Sequence, residues 1–118
     1  MPTNELFYNA KETIDVAAGK AIFSLGDIGQ QMFGVIAGEI ELRKGDTLVA
    51  RLGPGEVFGE MALVDQSPRS LDAVAASDAR LAVIDRYTFL FLVGETPTFA
   101  LDIMSSLASR IRAYDERV

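Results

Sequence analysis

The first two thirds of the chain alternate short apolar runs with glycines. Between residues 14 and 52, runs rich in Val, Ile, Leu and Phe are separated by glycines at short intervals. Such runs predict short antiparallel strands. The clearest pair is residues 40–43 and 47–52, joined through Gly45, and it predicts a hairpin because glycine tolerates the positive φ of a tight turn.

Further strands are predicted beyond this hairpin. After Gly53-Pro54-Gly55 the apolar residues 57–58 precede a short turn, and residues 71–75 and 80–84 have the composition of two more strands. Seven or eight short strands favour a jelly roll or a sandwich. We therefore expect a mainly β fold, a double-stranded β-helix (jelly-roll) barrel over residues 13–85, followed by C-terminal helices over residues 86–118.

The periodicity changes to a helical one after Asp85. Residues 86–93 predict a short helix ended by Gly94, and Thr96-Pro97 predicts the start of a long helix, with Thr96 as its N-cap and proline at the first helical position. Apolar residues then recur at spacings of four and three, which places them along one stripe. The stripe comprises Ala100, Met104, Leu107, Ile111, Tyr114 and Val118. It packs either on the barrel or on the same helix of a second copy.

Size and composition point to a single globular unit. A chain of 118 residues with 49% hydrophobic and 24% charged residues has the length and the apolar content for one domain with a real core, and no second module is visible. Neither a membrane span nor a signal peptide is recognisable, so we expect a cytoplasmic protein that does not enter a membrane. The absence of Cys excludes thiol chemistry.

The absence of His narrows the function further. Without imidazole the chain has neither a zinc site of the usual kind nor a Ser-His-Asp triad, and a His-rich metal enzyme of the cupin type is equally disfavoured. We expect no catalytic residues and no metal. A net charge of −6 argues against a broad nucleic-acid surface, so an anionic ligand must be held locally.

One short segment offers such a local site. Gly59 lets a ligand approach the backbone, and residues 60–64 predict one helical turn whose first N–H groups lack internal partners and attract an anion. Arg69 supplies a rigid fork of donors that matches phosphate oxygens, and Ser70 adds a hydroxyl. Glu60 can accept a hydrogen bond from a sugar hydroxyl. Together these residues predict a site for a phosphorylated sugar.

The chain resembles the cyclic nucleotide-binding domain family over residues 13–114. The run Phe23-Ser24-Leu25-Gly26-Asp27 and residues 33–39 look like the early barrel signature of that family, and the sequence FGEMALVDQSPRS looks like its phosphate-binding cassette. Residues 96–112 are most similar to the bacterial catabolite-activator branch. In that branch the long helix forms the dimer and the chain continues into a helix-turn-helix domain. We expect a stand-alone sensor domain or a fragment, with no DNA-binding domain in these residues.

The resemblance implies a role for each residue of the segment. Glu60 would hold the ribose 2′-hydroxyl, Arg69 the cyclic phosphate, and Ser70 the phosphate or the base. The remaining members of the expected ligand-binding set are Gly59, Met61, Ala62 and Leu71. The ligand would be cyclic AMP or cyclic GMP, with no other cofactor, and the signal would pass through movement of the C-terminal helices about Gly94 to a downstream partner. Phe58, Met61 and Leu63 are expected to pack mainly in the barrel.

Two residues after Arg69-Ser70 depart from the family pattern and support an alternative. Family members place a small residue at the position of Leu71, and Asp72 is acidic where a hydroxyl or apolar residue is common. Strand alternation predicts Arg69 and Leu71 on one face and Ser70 with Asp72 on the other. The alternative is a domain that has lost nucleotide binding and serves as a dimerising interaction module. If the stripe meets a second copy, the homodimer is expected to form through Met104, Leu107, Ile111 and Tyr114.

Overall fold

Eight strands and three helices follow one another within the described part of the chain. The structure is a computed structural model that describes residues 10–64 and 66–117, with side chains as far as residue 112. The strands are β1 (Thr13–Val16), β2 (Ala21–Phe23), β3 (Gln31–Ala37), β4 (Ile40–Lys44), β5 (Thr47–Leu52), β6 (Val57–Phe58), β7 (Asp72–Ala75) and β8 (Ala79–Asp85). The helices are α1 (Met61–Val64), α2 (Arg86–Glu95) and α3 (Thr98–Arg117).

The strands form two antiparallel four-stranded sheets with the connectivity of a jelly roll. The strand order is β1-β8-β3-β6 in the first sheet and β2-β7-β4-β5 in the second. The predicted mainly β jelly roll is therefore confirmed, although the two sheets do not close into one barrel. The predicted hairpin is β4–β5, and Gly45 in its turn has a φ of 62°.

The two faces of the first sheet serve two separate cores. Phe33 and Val35 of β3 point between the sheets, where they meet Ile40 and Leu42 of β4. The opposite face of β3 and β8 contributes a second core, in which helix α3 takes part. That core comprises Met32, Ile36, Val57, Leu63, Ala82, Ile84, Phe99 and Ile103. Because β3 and β8 are buried on both faces, their sequences are continuous apolar runs and not alternating ones.

The two longer helices differ from the sequence prediction at their boundaries. Helix α2 runs through Gly94 to Glu95, and the N–H of Thr96 donates to Leu92 O at its end. Thr96 is therefore the C-cap of α2 and not the N-cap of the next helix, which begins at Thr98. Asp85 caps the N-terminus of α2, and its carboxylate accepts from the Thr88 N–H at 2.8 Å. Gly94 as the end of α2 was a wrong prediction.

Helix α3 packs on the first sheet through Leu107 of the predicted stripe and through two residues outside it. Phe99 and Ile103 are buried there and Leu107 is partly buried. Of the predicted stripe, Met104 is 57% exposed and Ile111 is 62% exposed, so the interpretation in which the stripe packs on the β-sheets is wrong for both. The side chain of Tyr114 and all of Val118 lie outside the described residues. The exposed part of the stripe remains available for a partner.

Candidate functional site

All seven residues of the expected ligand-binding set line one small cavity. The cavity lies between the β6–α1 turn, the segment that leads into β7, and helix α3. Its lining consists of Phe23, Leu42, Gly59, Glu60, Met61, Ala62, Ser67, Pro68, Arg69, Ser70, Leu71 and Arg110. Its volume is about 40 Å³. This is close to the roughly 30 Å³ that one water occupies, whereas small-molecule pockets measure roughly 300–1,000 Å³.

Gly59 forms the tight turn between β6 and α1. Its φ is +79°, a value that residues other than glycine rarely adopt. A Cβ at this position would also lie 2.9 Å from Arg69 Nη1 and 3.3 Å from the Phe23 ring. Both the backbone conformation and the close approach of the guanidinium therefore require glycine here.

Some of the N–H groups of α1 that were predicted to be unpaired donate hydrogen bonds to backbone carbonyls. The Leu63 and Val64 N–H groups donate to Glu60 O at 2.9 and 3.1 Å, and the Ala62 N–H reaches Gly59 O at 3.4 Å. The prediction of unpaired N–H groups is thus wrong for Ala62. Met61 also differs from its expected packing role, because it is 45% exposed and not part of the core.

Arg69 is buried and held by backbone carbonyls. Its Nη1 donates to Gly59 O at 2.8 Å and its Nη2 to Gln31 O at 2.7 Å. The side chain is 8% exposed, and within the described residues its Nε has no hydrogen-bond partner. Burial lowers the pKa of the guanidinium, while the charges of Glu60 and Asp27 act in the opposite direction. The two carbonyls fix the plane of the fork and leave donors unused.

The backbone around Arg69 is pinned to the β2–β3 turn. The Arg69 N–H donates to Asp27 O at 2.8 Å and Arg69 O accepts from the Gly26 N–H at 2.7 Å. Strand β7 begins only at Asp72, so the predicted alternation does not extend back through residues 69–71. Ser70 consequently lines the cavity together with Arg69 instead of pointing to the opposite face.

The two residues that depart from the family pattern have clear positions. The Asp72 carboxylate accepts from the Leu25 N–H at 2.8 Å and so braces the β2–β3 turn. It is not among the residues that line the cavity. Leu71 lines the cavity and also packs against the core between the sheets. The Asp72 carboxylate is therefore bonded away from Arg69, in agreement with its predicted place on the opposite face.

Glu60 is buried against a cation that sequence reasoning missed. Arg110 of α3 places Nη2 3.3 Å from Glu60 Oε1, 2.6 Å from Val57 O and 3.3 Å from Ser106 Oγ. The side chains of Glu60 and Arg110 are 8% and 17% exposed. Arg110 lies fifty positions from Glu60 in the sequence, and its only signal was its place in the basic end of the long helix.

A larger cavity of about 580 Å³ lies nearby but lacks the chemistry of the first. It shares Ala62 with the small cavity and contains neither Glu60 nor Arg69. Within residues 10–64 and 66–117 no group of three or more His, Cys, Asp or Glu side chains is placed to hold a metal ion. None of the helices in the described residues has the length and apolar character needed to cross a lipid bilayer.

A comparison with protein families identifies the family of this chain. The family profile described as "Cyclic nucleotide-binding domain" matches residues 13–96, which include the whole β6–β7 segment. The chain belongs to this family. The matched range contains Gly59, Glu60 and Arg69.

Relatives of this cyclic nucleotide-binding domain are regulators by name. The chain is 36% identical to the Cyclic AMP receptor protein of Thermus thermophilus over 131 aligned positions, which cover 98% of the chain and 61% of that protein. It is 40% identical to the cAMP-dependent protein kinase regulatory subunit of Eremothecium gossypii over 84 positions, covering 71% of the chain and 18% of that protein. The chain thus spans less than two thirds of both relatives.

A solved structure with the same fold is described in connection with cyclic GMP, whereas the two relatives above are named for cyclic AMP. It comes from work on a cyclic-GMP-dependent signalling pathway that regulates bacterial phytopathogenesis. It superimposes with a TM-score of 0.73 at 33% identity and covers 93% of this chain and 89% of that one. The domain is therefore a regulatory domain of the cyclic nucleotide-binding type.

Proposed function

We propose that this chain is a sensor domain that binds cyclic AMP or cyclic GMP in the small cavity and signals by movement of α3. The observation that carries the proposal is the state of Arg69, whose guanidinium is buried and carbonyl-bonded with Nε unpartnered among the described residues. A buried cation with unused donors gains most from an anion, because charge-assisted hydrogen bonds are the strong ones. The cyclic phosphate is that anion.

The other cavity residues complete the proposed ligand contacts. Glu60 accepts from the ribose 2′-hydroxyl, and Ser70 bonds to the phosphate or to the base. Gly59 allows close approach of the ligand to the backbone, and Met61, Ala62 and Leu71 form the remaining wall. The hydrogen bond of the Asp72 carboxylate to the β2–β3 turn supports this assignment, since it keeps an acidic group away from the phosphate.

The proposed signal rests on the contact between Glu60 and Arg110. A cavity of about 40 Å³ must widen to admit a nucleotide, and Arg110 of α3 forms one of its walls. A ribose hydroxyl bonded to Glu60 would compete with Nη2 of Arg110 for the same carboxylate. This would weaken the contact between the β6–α1 turn and α3. Ligand binding then shifts the population between two positions of α3, and by linkage whatever binds α3 changes the nucleotide affinity by the same factor.

Thermal unfolding with each nucleotide tests the proposal. At about 100 times the dissociation constant, a ligand specific for the folded state adds about 2.7 kcal/mol, which raises the Tm by several degrees. Arg69→Met should weaken binding at least about thirtyfold, because truncating one member of a buried charged pair costs about 2–5 kcal/mol. Arg80→Met is the matched control, since Arg80 pairs with Asp15 on the surface and does not line the cavity.

Two outcomes would reject this proposal in different ways. Unchanged Tm at millimolar cyclic AMP and cyclic GMP would reject the sensor function and leave the dimerising interaction module. That second candidate is supported by the exposure of Met104 and Ile111 on one helix. A shift of equal size in wild type and Arg69→Met would keep the function but remove the phosphate from Arg69.

A further inference from the structure

The Arg69 guanidinium is a buried cation that lies in direct contact with an aromatic ring, while the charges of Glu60 and Asp27 act on it only from a distance. Its central carbon lies 4.2 Å from the centroid of the Phe23 ring. Among the described residues no Asp or Glu oxygen forms an ion pair with it, and the Glu60 carboxylate is bonded to Arg110 instead. A cation this close to a ring face is attracted by the quadrupole of the ring, and more strongly when it is desolvated.

We propose that Phe23 is a positioning residue for Arg69, which holds the guanidinium in place while leaving its N–H groups free of a bonded carboxylate. A carboxylate in this position would compete with an incoming phosphate for the same donors. A ring face stabilises the positive charge without occupying an N–H group, because it bonds to the π face of the guanidinium. The inference rests on the proposed function, since it concerns the same site.

The orientation of the Phe23 ring is itself fixed by its neighbours. Its centroid lies 6.2 Å from that of Phe33 and 6.0 Å from that of Phe58, and these two rings stack at 5.4 Å. Phe58 is fully buried and Phe33 nearly so. Phe23 is the member of the cluster that lines the cavity, and it forms the floor beneath Arg69.

The chain offers a matched control in the same cluster. The Phe33 centroid lies 6.0 Å from the Arg69 central carbon, at the outer limit of a cation–π contact. Phe23→Leu and Phe33→Leu both replace an aromatic by an aliphatic side chain in one apolar cluster, but only the first removes the ring under the guanidinium. Phe23→Tyr keeps that ring face.

Calorimetric titration with cyclic AMP and cyclic GMP measures the effect on affinity. We expect Phe23→Leu to weaken binding of the accepted nucleotide about tenfold, Phe33→Leu less than threefold, and Phe23→Tyr less than threefold. In an Arg69→Met background, Phe23→Leu should cause no further loss. Equal losses for Phe23→Leu and Phe33→Leu, or full additivity of Phe23→Leu with Arg69→Met, would overturn the assignment.

A measurement without ligand separates this inference from the proposed function. In thermal unfolding of the ligand-free protein, the Tm changes of Phe23→Leu and Arg69→Met should be non-additive, because the two side chains share one contact. The changes of Phe33→Leu and Arg69→Met should be closer to additive. Additive Tm changes for Phe23→Leu and Arg69→Met would refute the positioning role, even if the protein binds a nucleotide. Non-additive changes would support it, even if the wild type binds neither nucleotide.

Discussion

The contact between Glu60 and Arg110 leads to the most specific prediction for stability. Replacing Arg110 by Met keeps an unbranched stem in the same place and removes the guanidinium. The change deletes the hydrogen bonds from Nη2 to Val57 O and Ser106 Oγ and the ion pair with Glu60. The Glu60 carboxylate, with a side chain 8% exposed, is then left in the protein interior without its cation.

The size of the effect follows from the geometry of the pair. Removing one member of a fully buried ion pair costs about 3–5 kcal/mol. Arg110 is 17% exposed and its distance to Glu60 is 3.3 Å, so solvent screens part of the interaction. We therefore expect Arg110→Met to lower the free energy of unfolding by about 2 kcal/mol, which corresponds to a fall in Tm of about 8 °C for a domain of this size.

A second substitution tests the reason for this loss. Glu60→Gln removes the unpaired charge, so the Glu60→Gln/Arg110→Met double variant should be more stable than Arg110→Met alone in urea or thermal unfolding. Arg112→Met, at an exposed position on the same helix, should change the unfolding free energy by less than about 0.5 kcal/mol. If the double variant is no more stable than Arg110→Met, an uncompensated carboxylate is not the cause and the reasoning fails.

Three further predictions concern other parts of the chain. Gly38→Ala should destabilise more than Gly19→Ala in urea unfolding, because both residues have positive φ but only a Cβ at Gly38 would meet backbone atoms of the facing turn, the nearest Cα at 2.7 Å; equal losses would contradict this. The Thr88 N–H holds the pKa of Asp85 below its usual value, so its stabilising charge is fully present above about pH 4 and is lost as the pH falls through the lowered folded pKa. The stability difference between wild type and Asp85→Asn should therefore shrink on going from pH 7 to pH 3, and a constant difference would contradict the assignment. Ile111→Glu should convert a dimer to a monomer in sedimentation, and a monomeric wild type would remove the proposed homodimer.

The sequence predicted the fold because its signals are local. Short apolar runs, glycine turns and the start of α2 at Arg86 each depend on neighbouring residues, and so does the segment from Gly59 to Arg69. Helix α3 shows the limit of such local signals. Its apolar residues lie on two adjacent rows, and the pattern favoured the row with Met104 and Ile111, whereas the row with Phe99 and Ile103 packs on the sheet.

The contacts that complete the site depend on long-range geometry. Arg110 meets Glu60 only because α3 crosses the β6–α1 turn in one rotational setting. Phe23 lies under Arg69 because β2 and β7 pair, with Phe23 opposite Ala73. The hydrogen bond from the Leu25 N–H to the Asp72 carboxylate is a further contact between residues far apart in the sequence. Such contacts have no periodic signal in one sequence.

The position of β6 at the edge of the first sheet has a consequence for exchange with solvent. Among the described residues this two-residue strand pairs with β3 alone, while β3 and β8 pair along most of their seven residues each. Local opening at such an edge needs less free energy than global unfolding. Native-state hydrogen exchange should therefore find amide protons of α1 exchanging through small openings while those of β3 and β8 await complete unfolding. Under the proposed function, these small openings would set the rate at which a nucleotide enters, with the rest of the sandwich acting as a rigid frame.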